Sequence, residues 1–474
     1  MFSYFYCFFR FGFRRSFAPT PFLLRRLCQR RKTDNVAGTA QARPYGKKCI
    51  FVTDMTETAH RSDAERQALA LDIASEAGHI LLENGAEISR VEETMERIAT
   101  YYGVDSKSFF VLSNGIFTTS SFNKYANVEF IPFKGTQLDK VVAVNQLSRD
   151  IAAGKYTMDA ALARLHEIRR MKPHPVWEQV LASALGSAGF CIVFGGGLLD
   201  CAASFVCGAL LWLFVLYVSA PKLSKIVGNL AGGLFVTGLC ILFHRIGFGH
   251  SLANMIIGAI IPLIPGVPFV NGVRDLAGED YIAGATRLLD ALLVFFCIAA
   301  GVMLAFFCDR LLTGSMIVLQ GMSVDTFTYR MGVQIVAAFI GTAAFAVLFG
   351  VPRKYYALCG ISGVLGWILY MVLVRSAGFT APAATVFATM LVVLSARWFS
   401  VIDRCPAIVF LLCGIFPLVP GAGVFWTSYY VVSDQLQLAL GSGFMAVKVT
   451  IAIVLGIILV SELPNRWFTW CRRR

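Results

Sequence analysis

Between two long apolar runs the chain reads NGVRDLAGEDYIAGATRLLD, residues 271–290, which carries Asn271, Arg274, Asp275, Asp280, Arg287 and Asp290. Ionisable groups in or beside hydrocarbon are costly and tend to be functional. A carboxylate there can hold a coupling proton or meet a substrate ammonium, so Asp275 and Asp290 are the first candidates for a proton- or substrate-linked site. Asp290 follows Arg287 by three residues, and the two can pair on one helix face. Arg274 reads better as an interfacial salt bridge of little energetic weight. Lys448, near the start of the last apolar run, suits an interface anchor that snorkels outward and a substrate contact equally. Asn229 and Asn254 are hydrogen-bonding residues at run ends that would also serve as helix caps. Asp200, in FGGGLLD, reads as a solvated loop acid.

A second chemistry lies in the backbone. IPLIPGVPFV, from Ile261, puts Pro262, Pro265 and Pro268 inside an apolar run, and FPLVPGAGVF, from Phe416, puts Pro417 and Pro420 inside another. Proline removes a helical hydrogen bond, and Gly266 and Gly421 let the chain turn where it is removed. Carbonyls freed in hydrocarbon are expensive unless protein or a water-filled cavity satisfies them. The paired breaks are therefore expected to line a pathway; the competing reading is two kinks that only adapt helix packing.

These groups need a membrane domain to position them. Hydrophobic residues make up 57% of the chain, charged residues 15%, and mean hydropathy is +0.65. The apolar residues cluster after Val176, giving ten spans at about 176–196, 199–219, 228–246, 251–270, 287–308, 331–351, 355–375, 380–400, 405–425 and 445–462, each long enough for a hydrocarbon core of roughly 30 Å. Alternate loops then hold Arg169, Arg170, Lys172, Lys222, Lys225, Arg274, Arg287, Arg353, Lys354, Arg397, Arg404, Arg466 and the terminal arginines, against Arg245, Arg310, Arg330 and Arg375 on the other side. That bias puts both termini in the cytoplasm. Gly228 and Gly232 have the spacing that lets helices approach closely.

The two proline motifs lie 155 positions apart, and the same offset superposes Gly186 on Gly341, Phe190 on Phe345, Phe194-Gly195 on Phe349-Gly350, Gly208 on Gly363 and Trp212 on Trp367. A constant register across several spans points to internal duplication. Five spans is an odd number, so the second copy must enter from the opposite side. Inverted repeats with interrupted helices are a recurring plan of secondary transporters.

The expected fold is mainly α: a polytopic membrane protein of about ten transmembrane helices in a 5+5 inverted repeat, with half 1 at 176–312, half 2 at 331–464 and a basic tail at 465–474. A small cytosolic α+β domain at 60–172 precedes it. There the spacing predicts a helix from Asp63 to Leu82 closed by Gly85, and a second with Ile88, Val91, Met95 and Ile98 on one face. A hairpin is expected at Asn114-Gly115, then a third strand in VEFIPF and helices Gln137–Ala152 and Thr157–Met171, with Thr157 as N-cap. Residues 1–54 are Arg-rich and aromatic, which suits an organellar presequence or a start placed upstream of Met55.

Several classes are excluded. The net charge of +13 sits in termini and short loops, with no basic-aromatic nucleic-acid module. The 13 cysteines form no C-x-x-C or His/Cys ligand cluster, so no metal or cofactor is expected. Ser362 in GISG resembles an intramembrane protease serine, but every histidine precedes it, so it reads as packing. There is no P-loop. No enzyme activity is expected.

The segments NGAEISRVEETMERIATYYGV, SNGIFTTS and PGVPFVNGVRDLAGEDYIAGATRLLDA resemble the first half of the threonine/serine exporter family. Val333–Pro464, with FPLVPGAG, resembles its smaller second half, which in some bacteria is a separate chain. The resemblance covers about residues 63–464. It implies export of threonine- or serine-type metabolites, or of dicarboxylates such as succinate in split members, driven by a proton or ion gradient. Pro265, Gly266, Asn271, Asp275, Gly284 and Arg287 fall on its most specific motif. The expected partners are a small-molecule substrate and membrane lipid, with a homo-oligomer open and no nucleic acid. The expected location is the plasma or inner membrane ahead of an organellar one. The reading from a different class is a membrane scaffold or sensor that signals through residues 60–172.

Overall fold

The computed structural model describes residues 63–464 except 105–108, 121–124, 134, 316, 318 and 320–329, together with Phe468. The basic segment 1–54, Arg466 and the terminal arginines lie outside the described residues.

The N-terminal region holds helices α1 (Asp63–Glu83) and α2 (Ile88–Tyr101), strands β1 (Phe109–Leu112), β2 (Gly115–Ser120) and β3 (Tyr125–Phe130), and helices α3 (Leu138–Ala152) and α4 (Met158–Arg169). The strands form one antiparallel sheet in the order β1-β2-β3. Ile88, Val91, Met95 and Ile98 are buried on one face of α2, as their helical spacing predicts. Thr157 accepts a hydrogen bond from Ala160 N at 3.4 Å and caps α4. The hairpin turn differs from expectation: Leu112 pairs with Gly115, so the two-residue loop is Ser113-Asn114. Gly115 instead lets β3 come close, because a Cβ there would lie 3.1 Å from the Glu129 carbonyl oxygen.

Among the described residues eight helices are long and apolar enough to cross a membrane: α5 (Val176–Val193), α6 (Leu198–Lys222), α7 (Lys225–Arg245), α10 (Tyr281–Thr313), α11 (Met331–Leu348), α12 (Arg353–Arg375), α13 (Ala381–Asp403) and α16 (Leu436–Ser461). Two more candidates are bent. One joins α8 (Leu252–Ile260) to α9 (Gly266–Ala277) through a 3₁₀ turn and turns by 63°; the other joins α14 (Ile408–Ile415) to α15 (Gly421–Val432) and turns by 42°. Counting each bent pair once gives ten. Several helices run beyond the predicted spans, most of all α10 with 33 residues, because polar ends continue a helix that an apolar window does not register.

Element boundaries recur at the 155-position offset. Val176–Val193 matches Met331–Leu348 at both ends, Ile261–Leu263 matches Phe416–Leu418, and Gly266–Ala277 matches Gly421–Val432. A side-chain pair recurs as well: Trp212 Nε1 donates to Gln179 Oε1 at 3.2 Å, and Trp367 Nε1 to Gln334 Oε1 at 3.0 Å. Helices α5 and α11 cross antiparallel. A Cβ on Gly186 would meet the Phe345 ring and one on Gly341 the Phe190 ring, and those rings meet edge-to-face at 5.5 Å.

Gly228 and Gly232 face Ser219 and Leu263, and the backbone contact between α7 and α10 lies elsewhere. It uses Gly233, whose Cβ would lie 2.9 Å from Ile298 O, and Gly301, whose Cβ would lie 2.3 Å from Leu230 O. Backbone cannot yield as a side-chain tip can. Gly301→Ala is expected to cost about 1–3 kcal/mol in detergent melting. Gly441→Ala, where nothing lies within 4 Å, should be neutral or gain about 0.5–1 kcal/mol.

Candidate functional site

Both breaks are built alike. Ile264 N donates to Ile261 O at 3.0 Å, and Gly266 N to Ile264 O at 2.8 Å, across Pro265 at φ −78 and ψ 60. Val419 N donates to Phe416 O at 3.2 Å, and Gly421 N to Val419 O at 2.8 Å, across Pro420 at φ −76 and ψ 48. Each is a short 3₁₀ turn running into an inverse γ-turn. Proline has no N–H to continue the helix, and the next helix restarts at the glycine; Pro268 is tolerated in the first turn of α9. The breaks touch: a Cβ on Gly266 would lie 2.7 Å from the Phe416 ring, and one on Gly421 3.3 Å from Ile264 Cδ1. Phe416 stacks on Phe345 at 4.4 Å.

Pro417 and Pro420 line a cavity of about 350 Å³ together with Trp367, Tyr370, Thr385 and Arg375. A more apolar cavity of about 420 Å³ lies between α10 and α16 and reaches Pro420, Thr427 and Thr450. Neither Pro262 nor Pro265 lines these two cavities.

The charged motif does a different job from the breaks. Its side chains grip the turn between α1 and α2. Asn271 Nδ2 donates to Gly85 O at 2.7 Å, and Arg287 Nη2 to Ala86 O at 3.0 Å. Arg274 Nη1 pairs with Glu87 Oε2 at 2.5 Å. Asp275 Oδ1 accepts Ile88 N at 3.1 Å, while Asp275 Oδ2 takes Arg287 Nη1 at 2.6 Å. Ile88 begins α2, so a carboxylate from another helix satisfies one of its otherwise unpaired N–H groups and complements the helix dipole. Gly85 stands at φ +85, and a Cβ there would lie 3.2 Å from Val267. The turn therefore rests on the first residues after the break. Gly272 and Gly284, each close to the other's carbonyl, bring α9 and α10 together.

Arg274 forms the salt bridge expected of it. Arg287 pairs with Asp275 and not with Asp290, which is half-exposed and takes Lys225 Nζ at 2.6 Å. Lys448 is exposed, its ammonium 4.7 Å from the Phe444 ring centroid. Asn229 donates to Lys225 O within its own helix, and Asn254 is buried. Ser362 is buried and bonded to Ser395, consistent with packing. Asp200 is no solvated acid: it is 3% exposed and accepts Gly197 N, His250 N and Ser251 N. Sequence reading missed Glu87, which pairs with Arg274, Asp309, which takes Arg245 Nε at 2.9 Å, and Gln334, which takes Trp367. Of these only Gln334 carried a signal, its alignment with Gln179 at the repeat offset.

Glu92, on α2, has its carboxyl pushed up from the ordinary range by burial; the hydrogen bond from Val111 N opposes this, and the charges of Asp280, Glu96 and Asp275 add to it. An acid whose pKa is raised on folding contributes stability that is full below its unfolded pKa and lost as pH rises through the folded value. Glu92→Gln cannot ionise. Its melting temperature relative to wild type should rise from acidic to neutral pH, and a flat difference would remove this account.

Apolar helices in this number, two of them broken and touching at the breaks, define a multi-pass membrane protein. A threonine/serine exporter family profile matches residues 72–308, and a second, "Threonine/Serine exporter, ThrE", matches residues 334–463. The chain belongs to the threonine/serine exporter family and is a membrane transporter of that family. It is 22% identical to the "Threonine/serine exporter" of Corynebacterium glutamicum, over 85% of this chain and 84% of that protein. It is also 22% identical to the "Probable threonine/serine exporter" of Mycobacterium tuberculosis, over 83% of this chain and 76% of that protein. The "Probable succinate transporter subunit YjjP" of Klebsiella aerogenes matches 52% of this chain at 22% identity, over 96% of its own length. No solved structure matches the chain.

Proposed function

We propose that the protein is a secondary exporter of threonine- and serine-type amino acids, driven by a proton or ion gradient. Two inverted five-span halves rock against each other at the paired breaks. The observation that carries this reading is the antiparallel crossing of α5 and α11, equivalent helices whose Gly186–Phe345 and Gly341–Phe190 contacts are reciprocal. Equivalent helices in same-facing halves would run parallel. The cavity beside Pro417 and Pro420 is the substrate chamber in this reading, with Arg375 for a carboxylate. Asp275 is the coupling acid: protonation would release both Ile88 N and Arg287. Asp290 and Lys448 stand at the membrane rims, and the loop-charge bias puts both termini in the cytoplasm of a plasma or inner membrane.

Export of a dicarboxylate is the second reading, favoured by the match to the Klebsiella aerogenes subunit. Full-length protein in proteoliposomes, with threonine, serine and succinate loaded separately, decides between the two. Efflux that needs an imposed pH or sodium gradient, and that falls more than about tenfold in the Pro265→Ala/Pro420→Ala double variant, is the expected result; removing two helix-breaking residues lets both helices close. Unchanged fluxes of all three solutes on adding the protein would leave the scaffold reading standing.

A further inference from the structure

Three arginines from three separate elements converge on one pocket away from the breaks. Arg90 comes from α2, Arg274 from α9 and Arg397 from α13; Ser400, Leu411 and Ser461 complete the wall of a space of about 270 Å³. Among the described lining residues none is acidic. Arg397 is fixed by donating to the carbonyls of Val460, Ser461 and Leu463 at the end of α16. Arg90 Nε is buried and makes no hydrogen bond. The acid facing both is Glu87, 3.6 Å from Arg90 Nε and 2.5 Å from Arg274 Nη1, and Glu93 takes Arg90 Nη1 at 3.0 Å.

Like charges gathered in a partly buried space repel, and a buried N–H group without an acceptor, as at Arg90 Nε, is costly. An oxyanion cures both faults. It matches the planar fork of a guanidinium, and its oxygens can accept from several donors together. We propose that this pocket is an oxyanion site for the phosphate or carboxylate of a small molecule or of an anionic lipid headgroup. Its occupant ties α2 to α9 and α13 and holds the N-terminal region on both sets of apolar helices. The site stands on this geometry and does not depend on the transport reading.

The test uses the full chain in a zwitterionic detergent at constant ionic strength, with chloride exchanged for sodium phosphate or sodium succinate. A saturable rise in melting temperature is expected, with matching heats by calorimetry. Arg90→Gln and Arg397→Gln should each weaken binding at least about tenfold, as loss of a charged hydrogen-bond donor does. Exposed Arg164→Gln should bind like wild type. Arg90→Gln carries the test if Arg397→Gln, which also uncaps α16, fails to melt cooperatively. Nanodiscs separate the sources. Phosphate binding in phosphatidylcholine that phosphatidylglycerol suppresses assigns a lipid headgroup, and equal binding in both assigns a free anion. No saturable effect of either salt, or equal effects in wild type and the Arg90 and Arg397 variants, overturns the proposal.

Discussion

Asp275→Asn should lower the stability of the purified protein by about 3–5 kcal/mol, the usual consequence of removing one partner of a buried ion pair. The side chain of Asp275 is 1% exposed and that of Arg287 11%, so the guanidinium would be left charged, buried and without its carboxylate. The Ile88 cap weakens in the same step, since an amide oxygen accepts with less strength than a carboxylate. Limited proteolysis between Glu83 and Ile88 should speed up, and efflux should be lost. Asp275→Leu combined with Arg287→Met separates the two effects. Removing both charges together restores much of the stability, whereas a coupling acid cannot be restored that way. A double variant that melts like wild type and still transports would strip Asp275 of its coupling role.

Asp290→Asn is the contrast, because the Asp290 and Lys225 side chains are 40% and 50% exposed. Exposed pairs are worth about 0–1 kcal/mol, so melting should hardly move. Lost efflux with unchanged melting would move the coupling role to Asp290.

The second large effect is expected at Gly266. Alanine there puts a methyl 2.7 Å from a Phe416 ring that is itself stacked on Phe345 at 4.4 Å, so the ring has no free direction to move. Overpacking of this kind costs about 1–3 kcal/mol. At a contact that must slide, the loss should appear mainly as a drop in flux, about tenfold or more, with Gly266→Val worse. Gly421→Ala meets only the tip of Ile264 at 3.3 Å and should be milder. Phe416→Leu should rescue Gly266→Ala by shrinking the obstacle. Wild-type flux in Gly266→Val would mean that the breaks do not move against each other.

Much of this architecture is legible in the sequence alone. Hydropathy fixed the positions of the spans, because lipid-exposed helices must be apolar along their length. The proline motifs marked both breaks, since a missing N–H acts on its own turn. Even the pairing of Trp212 with Gln179 and of Trp367 with Gln334 follows a register already visible in the chain. These signals are local, or repeat at one offset, and so survive in one dimension.

Partners do not. Asp275 meets a backbone N–H 187 positions earlier, and Arg287 a carbonyl 201 positions earlier. A carboxylate has the same composition whether it holds a proton, a substrate or the end of another helix. The same limit hid the burial of Asp200, the use of Gly233 and Gly301 in place of Gly228 and Gly232, and the meeting of Arg90, Arg274 and Arg397. The sequence by itself determined where the long apolar helices lie and where two of them break. Only the tertiary structure decided what its few charges touch, because polar complementarity depends on which distant segments packing brings within hydrogen-bond reach.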